Sequence, residues 1–499
     1  MEEKFLVGLS EVTITPDKTI SLTGQFFERI SEYVETPITC TALAVKTESD
    51  QMVLLSCDLT GIADTLCDRV RAALKGYKDL DPMKVVINAT HTHTSHTYDN
   101  TRRIPTNAGL DAVEEYSGGR KYVKLTGEKK PEMDKYEATE YLTTQLSTAV
   151  KNAWDSLHPG FVQFGFGRAA VGMCRRVSYD DGSAQMWGDV NTPNFDALEG
   201  GNDSGIEIGF IFDQNKKLEG VIANVCCPSQ IVEQRSFISS DFWGKVRIVL
   251  REQYGEDLKV VALCAAAGDQ CPRDLVRWVT PETPIDDPNV KRPNPLERRA
   301  DPSMYDIKGT WKAGRRIARE IIDAYEELPE NGEMTDSAVL EHRVLTLNLP
   351  LRRVTMKERD VAERAIKEFF RDLESDTITY EENARMHVHA GILSRFKLQQ
   401  DLDLYPCEVH IIRFGDVAFA TSPFELFLDY GNQIRARSFA KQTFLVQLCC
   451  GGYGYLPTEK AEKGSHYSAY VTSGVVGHEG GNILVRESLT NINDMFKKD

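Results

Sequence analysis

The stretch Lys84-Val-Val-Ile-Asn-Ala-Thr-His-Thr-His-Thr-Ser-His96 decides how the chain is read. Its first half is a run of β-branched and small apolar residues, which predicts a strand over 84–89. Three of the chain's ten histidines follow at once, at His91, His93 and His96. Side chains alternate along a strand, so His91 and His93 are expected on the same side. Two neutral imidazoles at a strand end suit a divalent transition metal, zinc first. A polar loop that is merely rich in histidine has the same composition, so the surroundings decide.

The same arrangement recurs along the chain. A β-rich run ends and polar or metal-capable residues follow in Ala223-Asn-Val-Cys-Cys-Pro-Ser-Gln230 and in Leu263-Cys-Ala-Ala-Ala-Gly-Asp-Gln-Cys-Pro272. It happens again in Phe419-Ala-Thr-Ser-Pro-Phe-Glu425 and in Leu448-Cys-Cys-Gly-Gly-Tyr-Gly-Tyr455. Strand ends that converge on one edge of a sheet are where α/β proteins build their sites.

Periodicity places strands at 4–15, 38–47, 51–58, 161–172, 206–212, 219–226, 259–265, 338–350, 407–413, 416–421 and 444–448. Helical spacing covers 62–77, 135–156, 242–254, 305–327, 357–373, part of 380–398, 424–438 and 482–495. No internal repeat is visible. Strands and helices interleave throughout, so the class is α/β (α+β), with mixed β-sheets and flanking helices. One large domain over 1–499 is expected, with lids or insertions at the polar stretch 97–132 and at 273–303, most of it proline- and charge-rich.

Hydrophobic residues make up 41% and charged residues 27%, a soluble globular mix. The net charge of -16 argues against nucleic acid or an anionic membrane surface as the main partner. No apolar run is long enough for a signal peptide or a membrane-spanning helix, so no integral membrane association is expected. Eleven scattered cysteines, an odd number, do not make a disulfide framework, and a reducing, cytoplasmic setting fits them. A small-molecule substrate is the expected partner. Oligomeric state is not legible.

These motifs resemble those of the neutral/alkaline non-lysosomal ceramidases and their shorter bacterial relatives. That family's Thr-His-Thr-His-Ser is matched by Thr90-His-Thr-His-Thr94, and its His-Pro and Ser-Xaa-Asp positions by Cys227-Pro228 and Ser239-Ser-Asp241. Its Gly-Asp-Xaa-Ser-Pro corresponds to Gly268-Asp-Gln-Cys-Pro272, and its glutamate segment is similar to Glu425-Leu-Phe-Leu-Asp-Tyr-Gly431. Its tyrosine segment corresponds to Tyr453-Gly-Tyr-Leu-Pro-Thr458. The five motifs keep their order across residues 5–470.

The resemblance implies a ceramidase-like catalytic domain that hydrolyses an amide with Zn2+, without the carboxy-terminal immunoglobulin-like domain. It implies zinc ligands at His91, Cys227, Glu425 and Tyr455. It implies substrate or oxyanion contacts from His93 and from Arg175 (Arg176 being next), with Tyr455 also acting on the bound water. Two positions depart from the family. Cys227 stands where the family has histidine; a thiolate binds zinc well but donates more charge, and His93 or His96 is an alternative ligand. Cys271 stands where the family has serine, and is either a nucleophile or an inert buried thiol.

The leading expectation is therefore a zinc amidohydrolase acting on an N-acyl or related small substrate. The same electrophile serves an ester, lactone or carbohydrate linkage, and a chain that had lost the full zinc site would be a silent binding protein.

Overall fold

The structure, a computed structural model, describes residues 2–104, 115–123, 129–277, 306–328 and 334–497. Of the expected lid at 273–303, residues 278–303 lie outside the described residues, as do 105–114 and 124–128 of the other.

Strands β1 (Leu6–Thr13), β2 (Thr39–Lys46), β3 (Gln51–Cys57), β4 (Val85–Ala89), β5 (His158–Arg168), β6 (Gly205–Asp213), β7 (Leu218–Val225) and β8 (Lys259–Cys264) form one mixed sheet. Its order is β8-β7-β6-β5-β1-β2-β3-β4. Strands β9 (Leu340–Pro350), β10 (Leu404–Phe414), β11 (Val417–Thr421) and β12 (Gln442–Val446) form a second, in chain order. The helices used below are α1 (Asp64–Leu74), α2 (Lys135–Asp155), α3 (Asp241–Tyr254), α4 (Asp306–Glu326) and α5 (Leu428–Arg437). The expected class holds: mixed sheets with helices packed around them.

One connection occurs three times. An antiparallel hairpin is followed by a helix that crosses to a parallel strand. The units are β2–β3–α1–β4, β6–β7–α3–β8 and β10–β11–α5–β12. Short turns such as Gly415-Asp416 allow only antiparallel pairing, whereas a parallel partner needs a crossover. The recurrence is topological, and no sequence repeat betrays it.

The three units bring their strand ends together. The Ser56 hydroxyl donates to Ala262 O at 2.6 Å, Gln447 N to Cys264 O at 3.0 Å, and Cys450 N to Ile87 O at 3.0 Å. Asn88 also bridges to Cys449, which covers the outer edge of β4. That cover explains why every residue of an edge strand, Val85–Ala89, is buried. Aromatic rings join the two sheets: Phe5 meets Phe414 at 5.2 Å and Phe164 meets Phe444 at 6.0 Å. Each such buried ring contributes roughly 2 kcal/mol of apolar transfer. Leu142, Leu146 and Val150 of α2 pack into the same core as β2 and β3, while α3 and α4 pack against the core residues of β6–β8.

Most predicted elements are found within a few residues. One is not. The helix expected from Phe424 starts at Leu428, and Glu425–Leu426 is instead a short strand parallel to Tyr455–Leu456. Pairing with a distant segment outweighs local helix propensity here, and the Asp269 carboxylate accepts Leu428 N at 2.9 Å to start the helix there.

Candidate metal centre and active site

The strand carrying the histidines stops at Ala89. Thr90 N donates to Cys57 O, and His91 N to Leu59 O, both at 2.9 Å. The Thr90 hydroxyl donates to Asp58 Oδ1 at 3.2 Å, and Asp58 is held by Arg247 Nη1 at 2.6 Å. Asp58, expected at a strand end, thus fixes the backbone before His91. His91 has φ +68°, so strand alternation does not reach it. The two imidazoles still meet, edge to face, with ring centroids 4.8 Å apart.

His91 Nδ1 hydrogen-bonds the Thr60 carbonyl. A carbonyl only accepts, so Nδ1 donates to it and Nε2 is turned to the site. Nε2 lies 3.3 Å from His93 Nε2 and 3.5 Å from Glu425 Oε2. His93 Nδ1 lies 3.4 Å from Glu233 Oε2, outside good hydrogen-bond geometry. Burial, then the neighbouring His91 and the guanidinium groups of Arg29 and Arg175, hold His93 well below its ordinary pKa, so it is neutral.

Glu425 stands directly opposite Tyr455 in the short parallel pairing. Burial alone would raise its pKa, but His91, Arg175 and the Tyr455 hydroxyl together hold it below the ordinary value. Burial and the nearby Glu425 carboxylate push the Tyr455 phenol well up, so it keeps its proton. Arg175 Nη2 donates to Gly268 O at 2.9 Å and lies 3.4 Å from Tyr455 Oη and 3.8 Å from Glu425 Oε2. Its Nε is buried without a hydrogen-bond partner among the described residues. Gly268 cannot carry a side chain, because a Cβ there would lie 2.4 Å from Glu425 O.

The structure thus gathers His91, His93, Glu425, Tyr455 and Arg175 from four separate segments. Cys227 and Cys271 are placed differently. Cys227 is fully buried in the apolar cluster of β6–β8, and its sulfur contacts Pro228 O at 3.5 Å. No hydrogen bond or ion pair links that sulfur to His91, Glu425 or Tyr455 among the described residues. Cys271 pairs with Met173, two residues before Arg175, and its sulfur contacts Arg273 O at 3.2 Å. Burial pushes the Cys271 thiol up to about 12, although Arg175 pulls the other way. It is a protonated thiol at neutral pH. His96 is engaged elsewhere, donating from Nε2 to Ile14 O at 2.7 Å, and burial lowers it to about 4.

Three participants escaped the sequence reading. Glu233 sits between His93 and Arg273, 3.1 Å from Arg273 Nη2. Arg273 in turn lies over the Trp187 ring. Tyr467 touches Tyr455, hydroxyl to hydroxyl, at 3.4 Å. The signal for Arg273 was at hand, one residue past Cys271-Pro272; Tyr467 lies in a loop where only the fold brings it back. A cavity of about 310 Å³ opens on the group, lined by Thr60, His91, Arg102, Glu425 and Gly454. The exposed ring of Phe26 stands 5.4 Å from Tyr467.

The residues fit a cation. His93 Nε2 at 3.3 Å and Glu425 Oε2 at 3.5 Å both face His91 Nε2, a nitrogen and oxygen donor set that suits a cation. A separate group, Glu408, His410 and Cys450, brings its ligand atoms all within 4.8 Å of one another and is taken up below.

No family model matches the chain, and no curated protein does. Solved structures do. A crystal structure of neutral ceramidase from Pseudomonas aeruginosa has a TM-score of 0.66 over 99% of this chain and 75% of that one, at 15% identity. A ceramidase complexed with C2 has the same TM-score over 99% of this chain and 76% of that one, at 14% identity. The chain has a ceramidase-like fold. Among the described residues, no helix is long and apolar enough to cross a membrane.

Proposed function

We propose that the protein is a zinc-dependent amidohydrolase acting on an N-acyl or related small substrate, with residues 1–499 as one hydrolase domain. The observation that carries this reading is that His93 Nε2 and Glu425 Oε2 both lie within 3.3–3.5 Å of His91 Nε2, beside Tyr455 and Arg175. We place His91, His93 and Glu425 in the ligand set, with Tyr455 beside them, and Cys227 outside it. The two imidazoles and the carboxylate make a charge-poor ligand set, which leaves the ion a better Lewis acid than a thiolate would. Zinc, when bound, polarises the scissile carbonyl and lowers the pKa of water.

The chain supplies the rest. Arg175 is a buried cation beside Glu425 and Tyr455 with an Nε–H that has no partner among the described residues, suited to the oxyanion that develops as the carbonyl is attacked. The protonated Tyr455 phenol donates a hydrogen bond to the same region. Glu233 lies 3.4 Å from His93 Nδ1, a carboxylate beside the far nitrogen of that imidazole. Cys271, a buried thiol paired with the strand that leads to Arg175, serves packing. The cytoplasm as compartment belongs to the same reading.

A panel of N-acyl amides and matched esters, each assayed for acid release, tests the reaction. Amide turnover that Glu425→Gln abolishes supports the proposal. Turnover of esters alone favours the ester alternative. No turnover and no bound metal after purification without chelator would leave a silent binding protein.

A further inference from the structure

Under α1, away from the group just described and sharing no residue with it, lies a second buried cluster. Glu408 and His410 project from β10, Cys450 comes from the turn after β12, and Cys67 and Arg71 come from α1. All are buried. Arg71 grips both Glu408 oxygens, at 2.6 and 2.9 Å, which fixes Glu408 as a carboxylate. Its Nη2 also lies 3.6 Å from Cys450 Sγ, which accepts Ile87 N at 3.4 Å as well. A buried sulfur surrounded by donors is set up as a thiolate.

The protons of the two neighbouring histidines can be counted. His342 Nδ1 faces the Gln51 carbonyl at 3.2 Å, so it carries a hydrogen. A neutral His342 then accepts at Nε2, from His410 Nδ1 at 2.9 Å. That leaves His410 Nε2 facing Glu408 Oε1 at 2.9 Å with Cys450 beside it. A lone pair there would point at a carboxylate oxygen, so a positive charge must sit between them. Either His410 holds a second proton or a metal ion occupies the gap.

We propose that this cluster is a second, structural metal site, binding zinc or a similar thiophilic divalent cation through Glu408, His410 and Cys450. The ligand atoms of Glu408, His410 and Cys450 are buried and all lie within 4.8 Å of one another, close enough to share one ion. The His410–His342–Gln51 chain is the arrangement by which a ligand imidazole is oriented through its far nitrogen. Mixed sulfur, nitrogen and oxygen donors at this spacing suit zinc over calcium or magnesium.

Its position gives the ion a task. Cys450 precedes Tyr455 on the same loop, and α1 follows the Thr60 segment that fixes His91. An ion on Cys450 and Glu408, the latter gripped by Arg71 of α1, holds the two loops of the first group in register. The inference stands on its own geometry and survives if the hydrolase reading fails.

The test uses the full chain loaded with cobalt(II), on a Cys227→Ser background so that a sulfur signal has one source. A thiolate-to-cobalt charge-transfer band in the near ultraviolet, lost in Cys450→Ser and retained in Glu425→Gln, is the expected result. Metal content should fall by one equivalent per chain in Cys450→Ser and should not in an otherwise unchanged Cys227→Ser. If Cys450→Ser does not fold, zinc-edge X-ray absorption of the Cys227→Ser protein decides: sulfur about 2.3 Å from zinc supports the site. Cobalt or zinc bound with only nitrogen and oxygen neighbours, or no metal taken up at all, overturns it.

Discussion

Glu425 and Tyr455 face each other across a parallel pairing only two residues long, and through it the carboxylate and the phenol reach one point. Nothing local in either segment requires that pairing. It follows from the third hairpin–helix–strand unit closing on the first two. Replacing Glu425 by glutamine keeps the shape and removes the charge. We expect zinc affinity at the first group to fall at least 10–100-fold and amide turnover with it, at an unchanged melting temperature. Metal analysis of dialysed protein beside the activity assay checks this. A variant that keeps both metal and turnover would remove Glu425 from the ligand set.

Gly24 has φ +101°, and a Cβ there would lie 2.4 Å from His93 Cγ. Gly24→Ala must therefore strain the turn and push the imidazole aside. The expected backbone cost is about 1–2 kcal/mol. Turnover should drop by more than the loss of folded protein explains, because His93 no longer meets His91. Thermal melting and kcat measured on the same preparation separate the two effects.

The Asp58–Arg247 pair is buried on both sides and anchors Thr90. Removing one partner strands the other, at a cost of about 3–5 kcal/mol. Asp58→Ala and Arg247→Ala should each lower the urea midpoint strongly. The double change Asp58→Leu with Arg247→Met should recover much of that loss while turnover stays low, because the Thr90 contact does not return.

His96 is buried and neutral, with a folded pKa of about 4 against an ordinary 6.5. The native state then binds fewer protons than the unfolded one. Its contribution is intact above pH 6.5 and is lost as the pH falls from 6.5 towards 4, by roughly 3 kcal/mol in total. His96→Gln can still donate to Ile14 O and cannot titrate. Melting temperature against pH should therefore be flatter over that window for His96→Gln than for the parent chain. Parallel curves would show that His96 is not the group responsible.

Cys227 offers a direct contrast with His93. With its sulfur in an apolar cluster, Cys227→Ser should retain the metal of the first group and most of its turnover, whereas His93→Ala should lose both. The reverse pattern, read by metal analysis, would restore the thiolate ligand.

Strands were legible where burial on both faces writes a continuous apolar run, as in Val85-Val-Ile and Val260-Val-Ala-Leu. His91, Glu425 and Tyr455 were reachable through motif order alone, because each follows a strand. The meeting of His91 with His93 was expected from strand alternation and occurs by another route, the left-handed turn at His91. Glu425 read as part of a helix because its partner lies at Tyr455, beyond any local window. Glu233 and Tyr467 carry no local mark; only packing makes them neighbours of the group. The cluster around Cys450 was invisible for the same reason, since His410 alternates with buried apolar residues on β10 like any core histidine.

Asn88 bridges to Cys449, and that contact spans most of the chain. During synthesis β4 leaves the ribosome long before the segment that covers it, so its outer edge stays open to wrong partners in the meantime. Folding must then wait for contacts of very large sequence separation, which makes it slow. A nascent or truncated chain ending before the Cys449 turn would expose that edge and need a chaperone to keep it from aggregating.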